Sequence, residues 1–299
     1  MKTLALTSIC SNQSEVCLAS RLAYPLTLSM NLAFIYGLYS AGLDIGSLFL
    51  IGFFVSLASL AVLERVLPYR TDWQASGRDW AINGIYFLIN GATDNTAKLI
   101  TASIAIYLAP AVAADFNAWM FATSVLLALL VNDFIGYWWH RLGHEIKLLW
   151  RFHGIHHVPN KIFMFNNNTV HFVDILISGI LSATAMVLLG FSEEAIALAL
   201  YIASFHSFFA HANADVRMGV LGYILMGPEH HRFHHSTEQH EAMNYGAVTA
   251  LWDQVFGTFL YRPGEAPREI GVKGPHRFPE SHKLLSNIAS PFLKTVERG

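Results

Sequence analysis

Cysteine and charge are scarce in this sequence. Its 299 residues include two cysteines, Cys10 and Cys17. Two thiols cannot build a disulfide framework, and no Cys-x-x-Cys is present, so metal chemistry must fall to histidine. Charged residues make up 13% of the chain and hydrophobic ones 54%. Soluble domains carry about 25% charge, so this composition points to a membrane protein. A net charge of −2 lacks the basic balance of nucleic-acid binders and excludes that class. An extended apolar leader is also missing: Leu4–Ile9 is broken by Thr7 and Ser8, and 11–15 is polar, so a retained N-terminal tail is expected.

Long apolar runs, by contrast, are plentiful. A bilayer span needs about 20 mostly apolar residues. Candidate spans run over about 24–40, 43–63, 99–114 (where Pro110 could end the helix early), 119–139, 172–190 and 193–210. The apolar piece "WAINGIYFLING" within 79–95 is too short to cross, and an interfacial or re-entrant helix is expected there. The fold class is therefore all-α: a polytopic membrane helical bundle of about six spans in three hairpins, with a cytoplasmic helical cap carrying a histidine cluster. Arg65, Arg70, Arg78, Arg141, Lys147, Arg151, Lys161, Arg217 and Arg232 fall on one side. The turns near 41–42, 114–118 and 190–192 carry no Lys or Arg, while Asp115, Glu193 and Glu194 lie there. By the positive-inside rule the basic side and both termini are cytoplasmic. Three regions are expected: an N-terminal membrane region over 1–118, a core over 119–262 and a cytoplasmic tail over 263–299 that caps the site.

Fifteen histidines are an unusually large share, and their order is informative. "HRLGH" sets His140 and His144 four apart, on one helical face. "HGIHH" supplies His153, His156 and His157, and "HRFHH" repeats the spacing with His231, His234 and His235. His171 precedes the fifth span and His211 follows the sixth, so all ten candidates lie at one membrane depth on the cytoplasmic side. That supply exceeds one tetrahedral zinc and matches two metals with four or five nitrogens each. Imidazole suits iron, zinc, copper and nickel, so the spacing does not choose among them.

The order HxxxH, HxxHH, HxxHH on hydrophobic hairpins resembles the fatty acid hydroxylase / sterol desaturase superfamily of integral-membrane di-iron oxygenases. The likeness covers about 119–262 and includes "DFIGYWWHRLGHE", "FHGIHH", "HFVD", "HANAD" and "HHRFHH…NYGAVTALWDQVFGTF". The last segment resembles the bacterial lipid-hydroxylase and alkylglycerol-monooxygenase-like branches, which favours a bacterial inner membrane over the endoplasmic reticulum. The resemblance implies that the ten histidines are ligands of two iron ions, with zinc or another divalent metal as a possible substitute. It further implies O2, a membrane lipid substrate, and hydroxylation or desaturation of an unactivated C–H bond. No haem, flavin or iron–sulfur motif and no cytochrome-b5-like extension is seen. Electrons are therefore expected from a separate cytoplasmic donor, a ferredoxin or a cytochrome-b5-like protein.

Around this set, Asp133 lies inside a span seven residues before His140, and an acceptor that orients an imidazole N–H is expected there. Asp174 is expected to act likewise. Asn244 and Asp253 either orient a ligand or hold a turn. His206 reads as a hydrogen-bonded core residue, His230 breaks the triplet spacing, and His240, His276 and His282 read as surface residues. "YWW" at 137–139 reads most simply as an interface belt, and could also line a lipid-entry path. A metal transporter or sensor would need polar groups along the mid-membrane, where the sequence reads as apolar. A zinc hydrolase would need a carboxylate base beside the metal, yet no HExxH occurs.

Overall fold

A computed structural model describes residues 18–108, 117–272 and 278–293. The N-terminal tail with Cys10 and Cys17, Pro110 and Asp115 in the expected third span and its turn, and His276 lie outside the described residues. Among those described the chain is helical, with no β-strand beyond isolated bridges. Six long helices lead: α1 (Leu18–Ser40), α2 (Ile45–Val66), α3 (Gly77–Leu108), α4 (Ala118–Glu145), α6 (Phe172–Leu188) and α7 (Glu193–Ala210). Shorter pieces carry the rest: α5 (Lys147–His153), α8 (Pro228–His234), α9 (Leu251–Phe256) and α10 (Leu284–Ala289).

α1 and α2 form a hairpin whose turn uses Gly42 at φ 82° and Asp44, which caps α2 through the Ser47 N–H. α2 packs on α7, α7 on α4, α4 on α6, and α6 on α3. A Cβ at Gly52 of α2 would stand 2.0 Å from Ile35 of α1, so the missing side chain is what permits this approach. α2 and α4 are each long and apolar enough to cross a bilayer, and α6 is apolar but shorter. Their outward faces expose large apolar residues such as Leu50, Phe54, Leu126 and Leu181, a surface suited to lipid rather than water.

Two expectations change. The piece over 79–95 and the segment from Leu99 are not separate, because α3 is one helix of 32 residues. In its polar middle Thr93, Asn95 and Thr96 satisfy their side chains on carbonyls four residues earlier without breaking the helix, and Asp94 pairs with Lys98 at 2.7 Å. The interior between α1, α2 and α7 is also not wholly apolar. Ser56 donates to Asn31 at 2.9 Å and meets the Tyr201 hydroxyl at 2.7 Å, joining three helices by mutually satisfied polar groups.

Candidate metal centre

α4 continues past its apolar stretch to Glu145, which carries His140 and His144 beyond the packed bundle on consecutive turns. α5 ends at His153 and tightens into a 3-10 turn over Gly154–His157. Gly154 is needed there because a Cβ would come within 2.3 Å of Phe278 and 2.8 Å of Trp150. His211 terminates α7, and α8 with His235 carries the second triplet.

These elements bring nine of the ten candidate histidines into two groups. His140, His144, His153, His157 and His234 form one; His156, His211, His231 and His235 form the other. Within each group the ligand atoms lie within 4.8 Å of one another. Both triplets are split: His156 leaves its neighbours for the four-member group, and His234 joins the five-member group. Nε2 atoms face each other at 3.3 Å for His153 and His157, 3.1 Å for His156 and His211, 2.7 Å for His211 and His231, and 3.0 Å for His231 and His235.

The donor set fits metal ions. Nε2 of His140 and of His234 is buried with no hydrogen-bond partner among the described residues. An uncompensated lone pair there is costly unless a cation takes it. Burial, reinforced by neighbouring imidazoles, holds His157, His231, His234 and His235 well below 6.5 and His156 down to about 3. The rings are neutral at ordinary pH, the form that can coordinate.

The far nitrogens of five of the nine are engaged as well. His140 Nδ1 donates to the Tyr245 carbonyl at 2.8 Å and His234 Nδ1 to that of Met243 at 2.9 Å. His156 Nδ1 donates to the Thr169 carbonyl at 3.3 Å, and His211 Nδ1 to the Asn166 amide oxygen at 3.1 Å. His153 Nδ1 donates to the Asp174 carboxylate at 2.9 Å. Each bond fixes a tautomer that leaves Nε2 free to face the group.

A family model described as fatty acid hydroxylase matches residues 125–258, a segment that holds all nine grouped histidines. The ornithine lipid hydroxylase OlsE of Rhizobium tropici is 31% identical over 248 residues, 80% of this chain and 74% of that protein. The chain belongs to the fatty acid hydroxylase family. Alkylglycerol monooxygenase of Homo sapiens is 31% identical over 148 residues, 49% of this chain and 32% of that one. The putative Delta(7)-sterol-C5(6)-desaturase 2 of Arabidopsis thaliana is 29% identical over 160 residues, 48% of this chain and 51% of that one. No solved structure matches the chain. As a member of this family the protein is an oxidoreductase, a membrane oxygenase acting on lipid C–H bonds.

Other expected site residues are placed differently. His171 joins neither group. Its Nδ1 accepts the Val173 N–H and its Nε2 donates to the Ile288 carbonyl, so the ring caps α6 and anchors the C-terminal tail. Asp133 meets no imidazole; it accepts the N–H groups of Ala247, Val248 and Thr249 and the Thr249 hydroxyl. A buried carboxylate needs several donors, and the loop supplies them where a lone imidazole N–H would not. Asp253 accepts from Tyr245 N, Gly246 N and Thr258, and Asn244, at φ 65°, bonds both ways with Leu260. Both hold the turn that presents the Met243 and Tyr245 carbonyls. Asp174 accepts from His153 rather than from the adjacent His171.

Outside the ligand candidates, His206 is buried beside the Tyr24 hydroxyl. His230 is buried, stacked on Tyr261 and bonded to the Gly222 carbonyl, while His240 is exposed. His282 is half-buried and pairs with Glu280. Arg232, counted above among the basic residues of the cytoplasmic side, is buried with its guanidinium 3.9 Å from the Tyr69 ring centroid.

Sequence reasoning missed Glu64, whose one oxygen accepts both Met164 N and Asn213 N, next to the residues that hold His211. A lone acid in an apolar helix was the available signal. Asn166 and Thr169 were missed too, since one acts through an amide in a loop and the other through a backbone carbonyl.

Proposed function

We propose that the nine grouped histidines hold two iron ions and that the enzyme hydroxylates an ornithine-type polar membrane lipid. The separation of nine imidazoles into groups of five and four carries the two-metal reading. Iron bound there supplies the O2-dependent oxidation of an unactivated C–H bond. The surrounding side chains bury the centre, and the carbonyls of Met243, Tyr245 and Thr169 with the oxygens of Asn166 and Asp174 fix the orientation of His234, His140, His156, His211 and His153. Water exclusion protects an oxidising site from side reactions.

The choice of lipid rests on coverage. Likeness to the ornithine lipid hydroxylase extends over 80% of this chain and so beyond the histidine core, whereas the human monooxygenase matches 49%. Helices outside the core are where a lipid chain would lie. We further propose six spans formed by α1–α4, α6 and α7, with the histidines and basic residues at their cytoplasmic ends, in a bacterial inner membrane. Electrons come from a separate cytoplasmic donor, a ferredoxin or cytochrome-b5-like protein.

The test is lipid mass spectrometry of a deletion strain against wild type and complemented strains. Loss of ornithine lipids bearing one additional oxygen is expected. Loss instead of species differing by two hydrogens identifies a desaturase, and an unchanged lipid profile rejects lipid oxidation.

A further inference from the structure

Among the five grouped histidines whose Nδ1 bonds are described above, His153 differs in what stands behind it. Its Nδ1 donates to a carboxylate, Asp174 Oδ2, at 2.9 Å, whereas His140, His234 and His156 donate to backbone carbonyls and His211 to an amide oxygen. The other oxygen of Asp174 accepts the indole N–H of Trp139. Trp139 immediately precedes His140 on α4, and Asp174 lies in the first turn of α6, so packing of α4 on α6 assembles the chain Trp139–Asp174–His153. The carboxylate is buried and thus has little water to compete with these two donors.

An anionic acceptor makes an imidazole a stronger electron donor than a neutral one does. The five-member group contains the carboxylate-backed ring and also offers one nitrogen more than the four-member group. We propose that Trp139 and Asp174 are positioning residues that orient and polarise His153, making the five-histidine group the tighter of two unequal metal positions. Trp139 is then part of the metal site's support rather than an interface-belt residue. The inference rests on the two-metal reading of the proposed function.

Purified protein stripped of metal and titrated with cobalt(II) against a competing chelator tests this, with bound metal per chain and visible absorption both recorded. Wild type is expected to fill in two separable steps. Asp174→Asn should weaken the first step by about 10–100-fold, change the absorption of the first cobalt and leave the second step in place. Trp139→Phe, which keeps an aromatic side chain but removes the N–H, should weaken the same step by a smaller factor and decides the matter if the Asp174 variant fails to fold. Equal weakening of both steps, or no change in either, overturns the proposal while leaving two metals intact. A wild-type protein that takes one metal overturns this proposal and the two-metal reading together.

Discussion

The 243–258 loop presents the Met243 and Tyr245 carbonyls to His234 and His140, while the 163–169 loop presents Thr169 and Asn166 to His156 and His211. Each loop braces one histidine group, but their own fastenings differ. Two buried carboxylates, Asp133 and Asp253, grip the first loop through successive N–H groups from Tyr245 to Thr249 and through the hydroxyls of Thr249 and Thr258. The second loop has one carboxylate bond, Glu64 to Met164 N, supplemented by amides: Asn83 accepts from Thr169 and Asn90 donates to the Asn168 carbonyl. Charge-assisted bonds are about twice as strong as neutral ones. The five-histidine side is therefore the more firmly built, and damage to either loop should register first in its own group.

The largest effects come from the imidazoles. His234→Ala and His156→Ala should each abolish lipid oxidation while the protein stays membrane-inserted, with metal lost first from the five-member group in one case and from the four-member group in the other. Product analysis and elemental analysis check this, and retained activity contradicts a ligand role. Acid should act on both sides at once. The folded-state value of His156 lies near 3, below the ordinary 6.5, so its stabilisation is full above pH 6.5 and is lost as pH falls toward 3. Thermal unfolding of metal-free protein should follow that direction; greater stability at pH 5 than at pH 7 would contradict it.

Asp133→Ala leaves the N–H groups of Ala247, Val248 and Thr249 without acceptors, a cost of roughly 3 kcal/mol or more at about 1–3 kcal/mol each. Glu64→Ala strands two N–H groups, costs about 2–6 kcal/mol, and should loosen the four-member group instead. Unfolding in detergent combined with metal content separates the two, and a shared pattern of metal loss removes the distinction between the loops. His171→Phe should have the smallest effect. It removes the bond to Ile288 and the α6 cap on the Val173 N–H, costs about 1–3 kcal/mol, and should leave the metal content unchanged, with faster proteolysis of the C-terminal tail as its sign.

The histidine spacings and the isolated acids were legible because each is unusual where it stands: five histidines within 227–240, and Asp133 in an apolar run. Asp133's partners were not legible, lying in a loop more than a hundred residues away. His171 was placed with the ligands because it stands at the end of an apolar run, at the depth of the others, and because the resemblance takes in its "HFVD" segment. Spacing cannot say which way a ring turns, and local capping of α6 turned this one away. Trp139 read as a belt residue because a tryptophan at a span's end satisfies that pattern whether or not its N–H finds a carboxylate.

The sequence by itself determined the helical class, the apolar helices, the supply of imidazoles and their concentration at one end of the chain's helices. These follow from local composition and from the 3.6-residue period, which act over a few residues. Tertiary structure decided how the triplets divide, which histidine is left out, and which ring is backed by a carboxylate. Those outcomes depend on helix ends and loops meeting across long separations, where a buried donor takes whichever acceptor the packing brings within reach.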